Sequence, residues 1–152
     1  MCNKIGCEGA KALANAEFAP NLIVLDLGIN NIGDNGIIAF ANAKFMSRLV
    51  SFNFANNKIG AKGAEALAGI DFKSLKRLNL SGNSIGDEGV IALVKGKINK
   101  LTLLNISCCN IGDEGVKSLR DVQFTESNTS SWGSYGIWER YDEKFIGIVW
   151  PF

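Results

Sequence analysis

Residues 75–86 read Leu-Lys-Arg-Leu-Asn-Leu-Ser-Gly-Asn-Ser-Ile-Gly, and the fold of the chain can be deduced from their pattern. Side chains alternate between the two faces of an extended strand. Leu78 and Leu80 therefore face one side, whereas Arg77 and Asn79 face the other. The stretch predicts a short strand with one buried and one outward face, followed by a polar turn.

The same pattern recurs on both sides of this stretch. Hexapeptides of the form L-x-x-(L/F)-x-(L/F/I) begin at positions 22, 49, 75 and 101. A marker residue follows each hexapeptide at a fixed distance, and one more marker precedes the first of them. The markers are separated by 27, 27, 26 and 26 residues and are Asn3, Asn30, Asn57, Asn83 and Cys109. Five matched copies predict a repeat protein in which each unit stacks on its neighbours.

The second half of each unit has a helical pattern. An Ile-Gly pair follows every marker, and apolar residues such as Val90, Leu93 and Val94 then recur at helical spacing. We predict strands at about 23–27, 50–54, 76–80 and 102–106, and helices near 34–43, 61–69, 87–96 and 113–121. Three aspartates occupy the expected N-cap position, namely Asp34, Asp87 and Asp113. A glycine recurs near each helix start, which indicates that successive units approach closely there: Gly36, Gly63, Gly89 and Gly115.

These residues resemble the leucine-rich repeat family, whose pattern is L-x-x-L-x-L-x-x-N/C-x-L/I. The unit length is similar to the ribonuclease-inhibitor-like class, and Gly-Ala-x-Ala-Leu-Ala at 9–14 and 63–68 is similar to bacterial GALA-type repeats. The resemblance covers about residues 3–124. It implies an α/β solenoid in which the marker side chains bond backbone groups as a ladder, with Cys109 as a substitute for asparagine. Because strands stack about 4.8 Å apart and helices about 10 Å apart, we expect a curved arc with parallel strands on the concave face and helices on the convex face.

The two ends depart from the pattern. We assign residues 1–124 to the repeats, of which the first is partial and lacks its strand, so that residues 1–19 are either a cap or the continuation of a longer chain. Residues 125–131 form a polar linker, and aromatic and β-branched runs at 135–141 and 145–150 predict a hairpin. We therefore expect residues 125–152 to form a β-hairpin-like aromatic cap. The alternative is a docking or dimerising element.

Composition argues against catalysis. The chain has no histidine, which removes the usual nucleophilic triads and the commonest metal ligand. Its four cysteines lack the paired spacing of a zinc site, so we predict no metal and no cofactor. A net charge of +1 gives no general attraction to nucleic acid or to a membrane. We expect a non-enzyme with free thiols in the cytoplasm, or in a host cytosol if the protein is a bacterial effector.

The outward strand positions are the candidate site, because we predict no packing role for them. The resemblance implies that this face binds another protein. The eight positions are Val24, Asp26, Ser51, Asn53, Arg77, Asn79, Leu103 and Asn105. A basic cluster near the strand starts, at Lys73, Lys76, Arg77, Lys97 and Lys100, is compatible with an acidic partner or with a solvated surface. The alternative function is self-assembly, including a homodimer, through the aromatic C-terminal tail.

Overall fold

The computed structural model describes residues 3–16, 21–96, 101–120 and 147–148. Strands and α-helices alternate through the described repeats. The strands are β1 (Val24–Asp26), β2 (Ser51–Asn53), β3 (Arg77–Asn79), β4 (Leu103–Asn105) and β5 (Gly147–Ile148). The α-helices are α1 (Cys7–Ala14), α2 (Gly33–Phe40), α3 (Ala61–Ala68), α4 (Gly86–Lys95) and α5 (Asp113–Arg120). A short 3-10 helix, Lys44–Arg48, leads into β2.

The strands form one sheet in chain order, β1-β2-β3-β4-β5. The first four are parallel and in register, so that Leu25, Phe52, Leu78 and Leu104 lie side by side. Each helix packs on the helix of the next repeat. These findings confirm the predicted alternation of parallel strands and helices. These four strands are three residues long, one residue shorter at each end than the five residues that the pattern predicts.

The tail adds a strand to this sheet. Gly147–Ile148 pairs with β4 in the antiparallel direction, with Leu104 opposite Ile148. This pair lies within the segment for which a hairpin strand is predicted. The other hairpin strand and the three tryptophans, Trp132, Trp138 and Trp150, lie outside the described residues.

The core lies between the sheet and the helices. Leu78 and Leu80 are buried, as the alternation predicts. Phenylalanine replaces leucine in the second strand, and the rings of Phe52 and Phe54 lie 4.0 Å apart between centroids. Phe40 of α2 packs on both, with centroid distances of 6.2 and 5.6 Å. Tilted and edge-on aromatic contacts of this kind add to the stabilisation that burial gives.

The buried marker residues form the expected ladder. Asn57 Oδ1 accepts hydrogen bonds from the backbone N–H groups of Asn30 and Ile32, both at 3.2 Å. Its Nδ2 donates to the carbonyl oxygens of Leu27 and Ala55 at 2.7 and 3.1 Å. The side chain thus satisfies backbone groups of two repeats that would otherwise be buried without partners.

Cys109 is the last residue of this ladder, and its thiol acts as a hydrogen-bond donor. Its thiol donates to the Leu80 carbonyl oxygen at 3.1 Å. Burial raises the pKa of the Cys109 thiol to about 11, although a hydrogen bond from the backbone of Asn83 lowers it in part. The thiol therefore keeps its proton at neutral pH, and it can replace the asparagine donor.

The N-cap predictions for Asp34, Asp87 and Asp113 are wrong, because all three lie in the first turn of their helices. α2 and α4 begin one residue before the aspartate, at Gly33 and Gly86, and α5 begins at Asp113 itself. Gly33 and Gly86 adopt φ values of +66° and +61°, a left-handed conformation that glycine tolerates. The carboxylates of Asp34 and Asp87 are engaged outside their own helices. Each carboxylate instead accepts a hydrogen bond from the next repeat: Asp34 Oδ1 from Gly60 N at 2.6 Å, and Asp87 Oδ1 from Gly112 N at 2.5 Å.

The glycines near the helix starts are required by close approach, as predicted. A Cβ atom at Gly63 would lie 2.6 Å from Asp34 Oδ1 of the preceding repeat. A Cβ atom at Gly89 would lie 3.0 Å from Ala64 Cβ. A Cβ atom at either position would require the neighbouring side chain or backbone to shift.

Candidate protein-binding surface

The eight predicted site residues lie together on the face of the sheet that points away from the helices, which we call the open sheet face. They form two rows, because the strands pair in register. The first row is Val24, Ser51, Arg77 and Leu103, and the second is Asp26, Asn53, Asn79 and Asn105. Val24, Asp26 and Arg77 are exposed, and the other five side chains are half-buried.

The second row has a structural role that the sequence analysis missed. Each Oδ1 atom accepts a hydrogen bond from the backbone N–H two residues later: Asp26 from Gly28, Asn53 from Ala55, Asn79 from Ser81 and Asn105 from Ser107, at 3.0–3.1 Å. These bonds end each strand in a tight turn. An Asp or Asn followed two residues later by Gly, Ala or Ser is the signal that could have revealed these turns.

The amide nitrogens of this row remain available. The Nδ2 groups of Asn53, Asn79 and Asn105 donate no hydrogen bond to any residue that the structure describes. Adjacent parallel strands lie about 4.8 Å apart. The open sheet face therefore carries a row of three evenly spaced donors, held in place because the Oδ1 atom of each amide is already bonded.

Exposed apolar residues lie on β1 and on either side of it. Ile23, Val24 and Ile29 are 57%, 56% and 52% exposed, and Ile38 on α2 is the other large apolar residue of the described chain with such exposure, at 45%. The first three belong to the first complete repeat, and Val24 is the one on the open sheet face. β1 is at the edge of the sheet and has a strand on one side within the described residues. Ile23 and Ile29 were not predicted as site residues.

A basic group lies on β3 and in the segment before it. Lys73, Lys76 and Arg77 are exposed. None of them forms an ion pair with a described residue. Lys97 and Lys100, which complete the predicted basic cluster, lie outside the described residues. Val24 and Arg77 lie two strands apart in the same row. With adjacent strands about 4.8 Å apart, the two residues are separated by about 9.6 Å.

The described residues contain no group of three or more histidine, cysteine, aspartate or glutamate residues that could hold a metal ion. Among the helices in the described part of the chain, none is long and apolar enough to cross a membrane. Cys109 is buried, whereas Cys108 beside it is exposed, in a turn with φ of +54°.

The sequence was compared with known proteins. No curated protein matches it. A family model described as "Leucine Rich repeat" matches residues 18–41, 48–68, 73–94 and 97–119, which together make more than half of the chain. Each matched stretch contains one strand and most or all of the helix that follows it. The chain therefore belongs to the leucine-rich repeat family.

Proposed function

We propose that this protein is a binding module that holds another protein on its open sheet face, at the concave side of a curved repeat arc. Leucine-rich repeats suggest a protein-interaction module. The observation that carries the proposal is the composition of the open sheet face and its margin. Exposed apolar, basic and unpaired amide groups lie there side by side, and none of them is needed to fill the core.

The rigidity of the face supports the proposal. Its second row is held by turn hydrogen bonds, and the strands behind it are joined by the asparagine ladder. Binding normally orders side chains and loops, and this ordering costs conformational entropy. A surface that is already ordered therefore has a smaller entropic cost on association. Arg77 is the long exposed side chain at the centre of the first row, and arginine is enriched among residues that dominate binding energy.

The proposal includes a finer assignment within the family. We infer a ribonuclease-inhibitor-like class from the 26- to 27-residue unit, and a GALA-type relationship from residues 9–14 and 63–68. We also infer a role without catalysis, and a reducing compartment such as the cytoplasm or a host cytosol. Free thiols at Cys7, Cys108 and Cys109 are consistent with that compartment.

Site-specific photocrosslinking tests the proposal. We would place a photoreactive amino acid at Ser51 on the open sheet face, or at Lys62 on the exposed side of α3, and irradiate each protein in cell lysates. We expect Ser51 to crosslink a protein that Lys62 does not. Arg77→Glu should weaken capture of that protein at least tenfold, which is about 1.4 kcal/mol.

Lys62→Glu is the matched control, because it makes the same charge change on the helix layer. It should alter capture by less than twofold. If Lys62→Glu or Lys95→Glu abolishes capture and Arg77→Glu does not, the partner binds the helix side, and the proposal is wrong.

A further inference from the structure

The β1 side and the β3 side of the open sheet face differ in charge, and this difference constrains the partner. Arg77 on β3 and Lys76, the residue before this strand, are exposed and lack a described acidic partner. Asp26 is the acidic residue of the two rows, and it lies on β1, two residues after the exposed Val24. A partner carboxylate is therefore attracted to the β3 side and repelled from the β1 side. Val24 on β1 is the most exposed apolar residue of the two rows, whereas Leu103 on β4 is half-buried.

The distance between these two subsites fits one backbone conformation well. Val24 and Arg77 are two strands apart, or about 9.6 Å. A polyproline II segment has three residues per turn and rises about 3.1 Å per residue, so side chains at i and i+3 share a face and lie about 9.3 Å apart. In a β-strand, by contrast, i and i+3 point to opposite faces.

The amide row distinguishes this conformation from a helix. An α-helix could present side chains seven residues apart at about 10.5 Å, but its carbonyl oxygens bond within the helix. A polyproline II segment has no internal hydrogen bonds and leaves its carbonyl oxygens available. The Nδ2 groups of Asn53 on β2 and Asn79 on β3 can donate to such carbonyl oxygens.

We propose that the partner segment is an extended, polyproline II-like peptide with an acidic residue three positions from an aliphatic or aromatic residue. The acidic side chain binds Arg77, the apolar one packs on Val24, and peptide carbonyls accept from the amides of Asn53 and Asn79. This inference rests on the proposed function, because it names the partner of the same face.

A peptide selection tests the inference without knowledge of the partner. The full chain is immobilised and offered a library of ten-residue peptides with every position randomised. We expect enriched peptides to share an acidic and an apolar residue at a spacing of three, with proline frequent between or beside them. Enrichment of basic peptides, or of acidic and apolar residues at a spacing of seven, would overturn the inference. The absence of any enriched peptide would also overturn it, because the inference requires one short segment to be sufficient.

Substitutions in the protein and a charge reversal in the peptide then show which protein residues bind which peptide residues. For an enriched peptide, fluorescence anisotropy should show at least tenfold weaker binding to Arg77→Glu and to Val24→Asp, and less than twofold change for Lys62→Glu. Replacing the acidic peptide residue by lysine should restore binding to Arg77→Glu, which a merely structural effect of the substitution would not do. Failure of that restoration contradicts the inference.

The two proposals fail differently. If selected peptides depend on Arg77 and Val24 but have another charge or spacing, the binding face is supported and the peptide class is wrong. If neither substitution matters and Lys62→Glu removes binding, the face itself is wrong.

Discussion

Asn83 is the residue at which the contribution of the ladder can be measured most directly. The side chain is 2% exposed. Its Oδ1 atom accepts from the backbone N–H groups of Asn57 and Ile59, both at 3.0 Å. Its Nδ2 atom donates to the carbonyl oxygens of Phe54 and Leu80 at 2.9 and 2.7 Å. One side chain therefore serves four buried backbone groups.

The expected cost of Asn83→Ala follows from these four bonds. Two buried N–H groups lose their acceptor, and each such loss costs about 1–3 kcal/mol. The carbonyl oxygens lose one partner each, which costs less because under-satisfied carbonyl groups are better tolerated than orphaned N–H groups. We expect the free energy of unfolding to fall by about 2–6 kcal/mol.

Asn79→Ala provides the matched control, four residues earlier in the same repeat. Asn79 is half-buried and bonds Ser81 through N–H and Oγ, where water can replace it. We expect this control to cost about 0.5–1.5 kcal/mol. Urea denaturation followed by circular dichroism gives both values. The slope of the unfolding free energy against urea concentration should be the same in the two variants and in the wild type. If Asn83→Ala costs no more than Asn79→Ala, the ladder does not hold the repeats together.

Four further predictions address the core, a strained turn, a buried thiol and the tail. Leu78→Ala should cost about 2–5 kcal/mol in urea denaturation, and a much smaller loss would contradict its place in the core. Ile29→Asn should instead raise stability by about 1–2 kcal/mol, because Ile29 has φ of +61°, a conformation that asparagine adopts more readily; an unchanged or lower unfolding free energy would argue against strain. Because the pKa of Cys109 is raised from 9.0 to about 11, the stability contributed by its neutral thiol is present below pH 9 and is lost as the pH rises to about 11. The unfolding free energy of the wild type relative to Cys109→Ala, measured in reductant, should therefore fall across that window, and a flat difference would refute this cause. Deletion of residues 125–152 should lower the melting temperature and cause aggregation, because it uncovers the edge of β4. A truncated protein that is equally stable and monomeric by light scattering would exclude a cap, whereas loss of a dimer would support the self-association alternative.

The repeat fold could be predicted because its signal is spread over every unit. Each strand contributes the same alternation, and five markers set the register, so an error in one unit would not change the result. The strand ends could not be predicted as well, because they depend on hydrogen bonding rather than on hydrophobicity. Leu80 continues the alternation, yet the strand ends at Asn79, where the side chain bonds the backbone of Ser81.

The candidate face was only partly predictable. Alternation identified the eight outward positions, and the structure brings them into two rows. Alternation could not identify Ile29, because it lies in the turn after β1, at a left-handed position that disfavours a β-branched residue. Alternation also could not distinguish the half-buried asparagines, whose side chains form structural hydrogen bonds, from the exposed Arg77. That distinction depends on turn geometry.

The four described junctions between neighbouring helices alternate between two kinds of contact. Where α1 meets α2 and α3 meets α4, small residues touch: a Cβ atom at Gly36 would lie 3.1 Å from Ala10 Cβ, and Gly89 stands in the same relation to Ala64. Where α2 meets α3 and α4 meets α5, a carboxylate bonds the backbone of the following repeat.

The first four helices differ in sequence in the same way. The first and third helices read Cys-Glu-Gly-Ala-Lys-Ala-Leu-Ala and Ala-Lys-Gly-Ala-Glu-Ala-Leu-Ala, with a small residue first. The second and fourth begin with Gly-Asp, and their glycines have positive φ. The fifth helix departs from this alternation, because Asp113 follows Asp87 in the next repeat. Asp113 directly follows Gly112, whose N–H group the Asp87 carboxylate binds. A small residue at the start of the following helix is therefore not a condition for the hydrogen bond between an aspartate and the next repeat.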